Sequence, residues 1–370
     1  MLQFTDENER STLGLGIGII GLPNVGKSTL FNALTNNNIL AANYPFATIE
    51  PNTGTVPVPD ERLNKLAELY DTQKIIPANV TFIDIAGLVA GASKGEGLGN
   101  QFLAHIRSNN AIIQVVRAFS DPNVVHVDNQ HDPKKDIGVI NTELVLADLQ
   151  TLAKRLPRIE KEARANPKLK PVYETLRSAH ELLDSGVALS SATNIDLAPI
   201  ADLQLITAKP IIYVFNVDEA DLTNSARKAE LGQLVHPAAA LFICAKLEDE
   251  LQGLDEGDRI ELLASYGQKE SGLGQLIHAA YSVLGLQSFL TAGEKEVRAW
   301  TIPKKASAPQ AAGVIHTDFE HGFIAAEVVN YQDLLDTGSL SAARTAGKVR
   351  TEGKAYLMQP NDIVEFRFNL

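Results

Sequence analysis

The chain has 370 residues, and at about 150 residues per domain this length suggests two or three domains. Hydrophobic residues make up 45% and charged residues 21%, an ordinary globular composition that argues against a largely disordered chain. The formal net charge of −12 argues against nucleic-acid binding by the whole surface but leaves room for a local basic patch.

The sequence carries no recognisable signal for secretion or membrane insertion. Residues 1–10 include three acidic residues and lack the basic and apolar regions of a signal peptide. No run of about 18 apolar residues is present. The single cysteine, Cys244, excludes an internal disulfide and a cysteine-based zinc site. We therefore expect a cytoplasmic monomer that does not bind membranes.

Between residues 15 and 244, predicted strands alternate with helical stretches, which is typical of a parallel α/β sheet. Each strand is predicted from a short apolar or β-branched run, and a helix is predicted over 28–34, after the first strand. The five predicted strands cover residues 15–20, 80–85, 111–116, 211–215 and 240–244.

A helical segment interrupts this alternation. Apolar residues recur at intervals of four and three over 145–163, and the spacing resumes over 172–183, which indicates a helical seam. The tripeptide Ala-Asn-Pro at 165–167 separates the two stretches. We therefore predict a helical hairpin inserted in the α/β domain, with its first helix kinked or split at Pro157.

A third region begins near residue 288 and is rich in strand-like runs. These runs lie at 297–302, 313–316, 322–329 and 362–368. Their β-branched and aromatic content predicts a small α+β domain at the carboxyl end of the chain.

Residues 21–28, GLPNVGKS, match the phosphate-binding pattern G-x-x-x-x-G-K-[ST] between a predicted strand and a predicted helix. The glycines let backbone N–H groups surround phosphates, and the helix N-terminus favours negative charge. Lys27 is predicted to reach the β- and γ-phosphates, and the Ser28 hydroxyl to bind Mg²⁺. The predicted nucleotide-binding residues of this loop are Asn24, Val25, Gly26, Lys27, Ser28 and Thr29.

Two further segments complete the predicted magnesium and phosphate site. Asp84 lies near the end of the second predicted strand, where its carboxylate can bind Mg²⁺ through water, and the Gly87 N–H can contact the γ-phosphate. Thr48 lies between these motifs, where a switch threonine can close on Mg²⁺ and the γ-phosphate. The predicted metal-binding residues are therefore Ser28, Thr48 and Asp84.

Residues 216–219, NVDE, end the fourth predicted strand. GTPases carry N-K-x-D at this place, and their aspartate accepts two hydrogen bonds from guanine. Here Val217 replaces the lysine and Glu219 replaces the aspartate. Because adenine offers one amino donor beside an acceptor, this departure weakens the case for guanine without establishing adenine.

Five segments together resemble the YchF family, the Obg-like ATPases in the Obg branch of the TRAFAC P-loop NTPases. They are residues 21–35, 43–54, 84–107, 216–219 and 297–324, and the resemblance covers nearly all of the chain beyond residue 14.

The resemblance implies an α/β P-loop NTPase G-domain, split by an inserted coiled-coil hairpin and followed by an α+β TGS domain. The implied domains are the G-domain at 15–145 and 205–287, the hairpin at 146–204 and the TGS domain at 288–370. Residues 1–14 are predicted to form an N-terminal extension.

The resemblance also implies that ATP is preferred over GTP and that the altered 216–219 segment sets this preference. Asn216 and the Val217 backbone are expected to contact adenine, with Glu219 at the position that reads guanine in GTPases. Phe119 is expected to stack on the base from the side.

Hydrolysis needs a group that positions the attacking water. Leu88 stands where Ras-type proteins carry a glutamine, and it can neither donate nor accept a hydrogen bond. The resemblance implies that His126 takes this role, with Lys27 as the second catalytic residue. Asn24 has two alternative roles: it caps the loop, or it helps to hold K⁺ as in Obg-related NTPases. The expected cofactor is therefore Mg²⁺, with K⁺ added in the second case.

The stretch 154–170 carries seven basic residues against two acidic ones, within an acidic chain. It can be a solvated helix face or a contact to RNA phosphates, and the ribosome association that the resemblance implies favours rRNA. We therefore expect an Mg²⁺-dependent ATPase that acts as a nucleotide switch on ribosomal particles. The alternatives are an Obg-type GTPase and a nucleotide-gated binding or stress-regulatory protein whose hydrolysis is incidental.

Overall fold

The structure is a computed structural model that describes residues 15–36, 52–85, 98–120 and 132–369. The described residues fall into two compact units. The P-loop unit lies within 16–54 and 82–276, and the C-terminal unit lies within 55–81 and 277–370.

The described residues contain twelve strands. In chain order they are β1 (Gly16–Gly21), β2 (Thr53–Pro57), β3 (Ile75–Ile76), β4 (Asn79–Asp84), β5 (Ala111–Arg117), β6 (Ile211–Asn216), β7 (Ala239–Ile243), β8 (Leu286–Ala292), β9 (Val297–Pro303), β10 (Phe323–Asn330), β11 (Arg350–Glu352) and β12 (Asp362–Phe368).

The same residues contain thirteen α-helices, and none of these helices has the length and apolarity needed to span a membrane. They are α1 (Lys27–Asn36), α2 (Glu61–Tyr70), α3 (Leu98–Ser108), α4 (Pro133–Ala165), α5 (Lys170–Asp184), α6 (Ser225–Gln233), α7 (Ala245–Leu251), α8 (Glu256–Ser265), α9 (Gly272–Val283), α10 (Ala308–Ile315), α11 (Thr317–His321), α12 (Tyr331–Thr337) and α13 (Leu340–Thr345).

One six-stranded sheet, in the order β2-β4-β1-β5-β6-β7, carries the P-loop unit. The pairs β1–β5, β5–β6 and β6–β7 are parallel, and every residue of β1 and β5 is buried. The five strands predicted for this sheet are confirmed to within one residue at each end, as is the parallel α/β class. Strand β2 was not predicted, because its half-exposed sequence TGTVP has no continuous apolar run.

The predicted helical hairpin is formed by α4 and α5. Asn166 ends α4, and its side chain accepts a hydrogen bond from the Lys168 N–H at the start of the next turn. Pro157 does not split α4, which is assigned as one helix of 33 residues. Leu152 and Ile159, on either side of Pro157, belong to one buried cluster with residues of α5, and this packing holds both halves of the helix.

The C-terminal unit is built on a mixed sheet in the order β11-β10-β12-β8-β9-β3. The predicted strands at 297–302, 322–329 and 362–368 are confirmed. The strand predicted at 313–316 is wrong, because these residues end helix α10 and reach its C-cap. A capping box between Ser307 and Gln310 starts that helix and outweighs the strand preference of the valine and isoleucine in it.

Residues 55–81 group with the C-terminal unit, whereas the sequence prediction assigned them to the G-domain. One of the contacts that join them is strand β3, which pairs in parallel with β9. Lys74 extends this pairing, since its carbonyl accepts a hydrogen bond from the Val297 N–H at 2.9 Å. A two-residue strand with a partner so far along the chain leaves no pattern in the sequence.

Candidate nucleotide site

The loop between β1 and α1 has the backbone geometry that its sequence pattern predicts. Asn24 and Gly26 both lie in the left-handed region, with φ values of +63° and +91°. A Cβ atom added to Gly26 would overlap the Asn216 side-chain nitrogen. Only glycine fits at position 26, because the residue there needs both a positive φ and room for a neighbouring side chain.

The loop ends at the N-terminus of α1, where backbone N–H groups have no partners inside the helix. Ser28 and Thr29 are exposed in this first turn, and the turn contains no acidic residue. Leu30 donates its N–H to the Gly26 carbonyl at 2.9 Å, which joins the loop to the helix. The positive end of the helix dipole and the two hydroxyls make this turn suitable for an anion and its counter-ion.

Lys27 and Asp84 form an ion pair beside this turn. Asp84 ends β4, which is the neighbour of β1 in the sheet, and each of the two side chains is only 11% exposed. The structure therefore brings together the ammonium predicted to bind phosphate and the carboxylate predicted to bind Mg²⁺. They are neighbours because Asp84 lies on β4, next to β1, and Lys27 begins the helix that follows the loop after β1.

These residues fit a magnesium ion. The Ser28 hydroxyl and the Asp84 carboxylate are hard oxygen donors, and Mg²⁺ is commonly held by one or two protein oxygens together with substrate phosphates and water. Within the described ranges, no group of three or more His, Cys, Asp or Glu side chains could hold a metal by itself. A metal at this place would therefore depend on the phosphates of a bound nucleotide.

Asn216, at the end of β6, connects the phosphate loop to the opposite part of the sheet edge. It is buried, its Nδ2 donates to the Val25 carbonyl at 3.1 Å, and its Oδ1 accepts from the Ala245 N–H at 3.1 Å. Val217 follows with a buried side chain, and its N–H donates to the Ile243 carbonyl at 2.9 Å. Hydrogen bonds within the protein thus hold Asn216 and Val217 in place, and with them the segment that is predicted to contact the base.

Glu219 stands at the position that reads guanine in GTPases, and two protein donors hold its carboxylate. Lys246 Nζ donates to Oε1 at 2.8 Å, and the Tyr266 hydroxyl donates to Oε2 at 2.9 Å. These hydrogen bonds hold the pKa of the Glu219 carboxyl below its ordinary value, so the group is a carboxylate at neutral pH. Sequence reasoning missed Lys246 and Tyr266.

Phe119 lies just beyond the end of β5 and is half-buried. The Arg117 guanidinium lies over its ring, with the central carbon 4.5 Å from the ring centroid. The next residue, Ser120, donates its N–H to the Asp218 carboxylate at 3.0 Å. This contact ties the segment that follows β5 to the 216–219 segment, so the residue after the predicted stacking residue contacts the predicted base-reading segment.

Three predicted site residues lie outside the described residues. They are Thr48, Gly87 and His126, and Leu88 lies outside as well. The roles given to them therefore remain predictions.

The basic stretch 154–170 covers the end of α4 and the turn to α5. Lys154, Arg158, Lys161, Arg164 and Lys168 are exposed. Two of these cations form ion pairs one helical turn apart, Arg158 with Glu162 at 2.8 Å and Arg164 with Glu160 at 2.7 Å. Exposed pairs of this kind hold their side chains weakly, so the cations stay accessible to a ligand.

Full-length relatives match this chain. A relative in Bacillus subtilis (strain 168), named ribosome-binding ATPase YchF, is 48% identical over 366 residues, which cover 97% of this chain and 100% of the relative. A protein of the same name in Escherichia coli O157:H7 is 46% identical over 97% of this chain and 100% of the relative. The chain belongs to the YchF family.

Two family models and a solved structure agree with that membership. Residues 16–166 match a model described as 50S ribosome-binding GTPase, and residues 286–369 match the YchF-GTPase C-terminal model, described as a protein of unknown function. The structure of the Schizosaccharomyces pombe YchF GTPase is 38% identical, with a TM-score of 0.84 over 96% of this chain and 98% of the yeast chain. The chain is thus a P-loop nucleoside triphosphatase with a mixed α/β fold.

Proposed function

We propose that this chain is an Mg²⁺-dependent ATPase that prefers ATP over GTP and acts as a nucleotide switch on ribosomal particles. The Lys27–Asp84 pair beside the phosphate loop carries the proposal of triphosphate hydrolysis. The bacterial relatives named ribosome-binding ATPases support the choice of nucleotide and partner. We propose that the protein works as a monomer in the cytoplasm, without binding membranes.

A second candidate is a GTPase of the Obg type. The yeast relative is named a GTPase, and both family models carry the same word. Against this candidate, both carboxylate oxygens of Glu219 already accept hydrogen bonds from protein donors. A guanine-reading carboxylate must turn both oxygens toward the base, and the contacts that fix the orientation of Glu219 therefore favour adenine.

In the proposed mechanism, the loop N–H groups and Lys27 bind the phosphates, while Ser28 and Asp84 hold Mg²⁺, with Asp84 acting through water. The ion supplies positive charge that offsets the negative charge developing on the phosphate oxygens. Lys27 exchanges its contact with Asp84 for the phosphates when the nucleotide binds. Thr48 and Gly87 close on the γ-phosphate in this proposal.

The attacking water needs a positioning group in the same proposal. His126 is assigned to it, and Asn24 is assigned to K⁺, which would add positive charge near the phosphates. The two roles predict different results: removal of the His126 imidazole lowers turnover in any salt, whereas K⁺ binding makes turnover depend on replacing NaCl with KCl. Equal rates in KCl and NaCl would remove K⁺ from the proposal.

Calorimetry of ATP and GTP binding in the presence of Mg²⁺ tests the proposed nucleotide. Wild type is expected to bind ATP more tightly, and Lys27→Ala to lose roughly 100-fold in affinity for both nucleotides, because a charged phosphate contact is removed. Tighter GTP binding by wild type would make the Obg-type GTPase the working function. Equal nucleotide affinities of Lys27→Ala and wild type would contradict nucleotide binding at the 21–28 loop.

For the ribosome, we propose that the basic stretch 154–170 contacts rRNA phosphates. The triple charge reversal Lys161→Glu, Arg164→Glu and Lys168→Glu is expected to weaken co-sedimentation with ribosomes and to flatten its salt dependence. A matched reversal of the exposed residues Lys65, Lys269 and Lys354 is the control. Equal losses in both triple variants would show a general charge effect and contradict the proposed contact.

Turnover in the presence of ribosomes separates a switch from a binding protein with incidental hydrolysis. A switch is expected to hydrolyse ATP slowly alone and faster with its partner. Turnover that ribosomes leave unchanged would favour the nucleotide-gated binding protein.

A further inference from the structure

The contacts of Glu219 join three separate elements of the P-loop unit. Glu219 follows β6, Lys246 lies in the first turn of α7, and Tyr266 is the C-cap residue directly after α8. One donor holds each carboxylate oxygen, at 2.8 Å from Lys246 and 2.9 Å from Tyr266. The orientation of the carboxylate is therefore set by side chains from outside the 216–219 segment.

The two purine bases differ at the edge that this carboxylate would read. Guanine presents the N1–H and the 2-amino group as adjacent donors, and a carboxylate can accept from both at once. Adenine presents an acceptor at N1 and no amino group at C2. One donor on each oxygen leaves free lone pairs, but it holds the carboxylate in one orientation. A carboxylate that cannot turn toward the base, and whose charge is offset by an ammonium group, has a weaker attraction for the guanine donors.

We propose that Lys246 and Tyr266 are specificity-determining positioning residues, which hold the Glu219 carboxylate and thereby prevent it from binding the guanine edge. The inference deepens the proposed function and rests on it, since it presumes that the base lies beside the 216–219 segment.

The rest of the segment does not need these two residues to keep its place. The Asn216 side chain, the Val217 N–H and the Asp218 carboxylate each have their own partner in the loops around them. Lys246 is 74% exposed and the Glu219 side chain 32% exposed. An exposed ion pair adds little to stability, so control of the carboxylate explains this cluster better than support of the fold does.

The test is the double variant Lys246→Met/Tyr266→Phe of the full chain, which frees the carboxylate and keeps the apolar bulk of both side chains. Calorimetry with Mg²⁺ measures the dissociation constants of ADP, GDP and inosine diphosphate. We expect GDP affinity to rise about tenfold relative to ADP affinity, which is typical of one bidentate base contact. Inosine diphosphate lacks the 2-amino group and is expected to gain less.

A third change identifies the carboxylate as the cause of that gain. In the triple variant that adds Glu219→Gln, the gain in GDP affinity is expected to disappear, because the amide has only one acceptor oxygen. The surface variant Lys269→Met, which removes an exposed lysine elsewhere in the P-loop unit, controls for the loss of a positive charge. It is expected to leave the GDP:ADP ratio unchanged.

Two results would overturn the inference: an unchanged GDP:ADP ratio in the double variant, or a gain that persists in the triple variant. If the double variant does not fold, Tyr266→Phe alone removes one hydroxyl and is expected to raise the ratio about threefold, the effect of one hydrogen bond. No rise in that folded variant would also overturn the inference. The GDP:ADP affinity ratio of the wild type tests the proposed function separately. The proposed function and the inference about Lys246 and Tyr266 can therefore fail independently.

Discussion

Two regions at the same edge of the sheet differ in how they are built. The phosphate side, defined as residues 21–28 with Asp84, depends on backbone geometry, with glycine required at position 26 and N–H groups at the start of α1. The base side, defined as residues 216–219 with Lys246 and Tyr266, depends on side chains that bind one another. The phosphate side is thus fixed by the backbone conformation of its loop. The base side is fixed by hydrogen bonds between side chains that are distant in the sequence.

This difference separates affinity from selectivity. The phosphates are common to all nucleoside triphosphates, so changes on the phosphate side should affect ATP and GTP equally. The bases differ only in their hydrogen-bonding edge, so changes on the base side should alter the ratio of the two affinities. Each substitution can be assigned to one side by whether it lowers both affinities together or changes their ratio.

The largest effect is expected from Gly26→Ala. The new Cβ would meet the Asn216 side chain at a backbone φ of +91°, and strain and overlap together should cost about 3 kcal/mol. We expect affinity for ATP and GTP to fall about 100-fold, with their ratio unchanged. Calorimetry and urea unfolding measure the two effects.

Gly186→Ala is the matched control, because Gly186 also has a positive φ, +80°, but nothing lies within 4 Å of an added Cβ. It should cost only the backbone strain, about 1 kcal/mol, and leave nucleotide affinity intact. If Gly26→Ala and Gly186→Ala lowered the free energy of unfolding equally, backbone strain alone, rather than the contact with Asn216, would explain why position 26 requires glycine.

Asn216→Ala should have the next largest effect, because this side chain connects the two sides. Its removal leaves the Val25 carbonyl and the Ala245 N–H without the partners that they have now, at a cost of about 2 kcal/mol. We expect both affinities to fall about tenfold, since the phosphate loop loses its support. A change in the ATP:GTP ratio alone would place Asn216 on the base side only.

Much of the fold and the phosphate side could be predicted from the sequence. A loop of this kind is specified by glycines and a lysine at fixed spacing, and its flanking strand and helix are signalled by local apolar runs. Five of the six strands in the sheet of the P-loop unit and the turn at Asn166 follow from patterns within about ten residues. Strands and turns that are determined by neighbouring residues can therefore be recognised from a short stretch of sequence.

The base side could not be predicted in the same way. Glu219 and Tyr266 are 47 residues apart, and a tyrosine at the end of a helix gives no signal of the carboxylate that it will meet. Helix α10 was mistaken for a strand because Val314 and Ile315 favour strands, while the capping box at its start decides the outcome. The contacts of Glu219 lie outside the short window that a pattern covers, whereas the capping box is a local pattern that the strand prediction did not take into account.

Asp84→Asn should lower affinity by a similar factor, but only in the magnesium-dependent part of binding. With Mg²⁺, ATP and GTP affinity should both fall about tenfold, as expected for the loss of a carboxylate that holds the ion through water. With EDTA, affinity should be unchanged or higher, because Lys27 is released from its ion pair and a negative charge near the phosphates is removed. Equal losses with and without Mg²⁺ would contradict a metal-binding role.

The smallest effect is expected from Glu219→Gln, and it appears in the pH dependence of stability. The hydrogen bonds from Lys246 and Tyr266 hold the pKa of Glu219 below its ordinary value. The stability that they contribute is therefore present above the pKa of the unfolded chain and is lost as the pH falls through the lower pKa of the folded chain. We expect wild type to exceed the variant by less than about 4 °C in Tm at neutral pH, because the pair is largely exposed.

That difference should shrink as the pH falls through the lowered pKa of the folded-state Glu219 carboxyl and vanish below it, where the carboxyl is protonated and the variant's amide resembles it. Glu261→Gln is the control, since Glu261 is exposed on α8, and its small difference from wild type should not follow this pH course. A Glu219→Gln difference that grew on acidification would mean that protonated Glu219 binds its neighbours better than the carboxylate does. The base side would then be held by something other than the charge of Glu219, and its contrast with the phosphate side would need another physical basis.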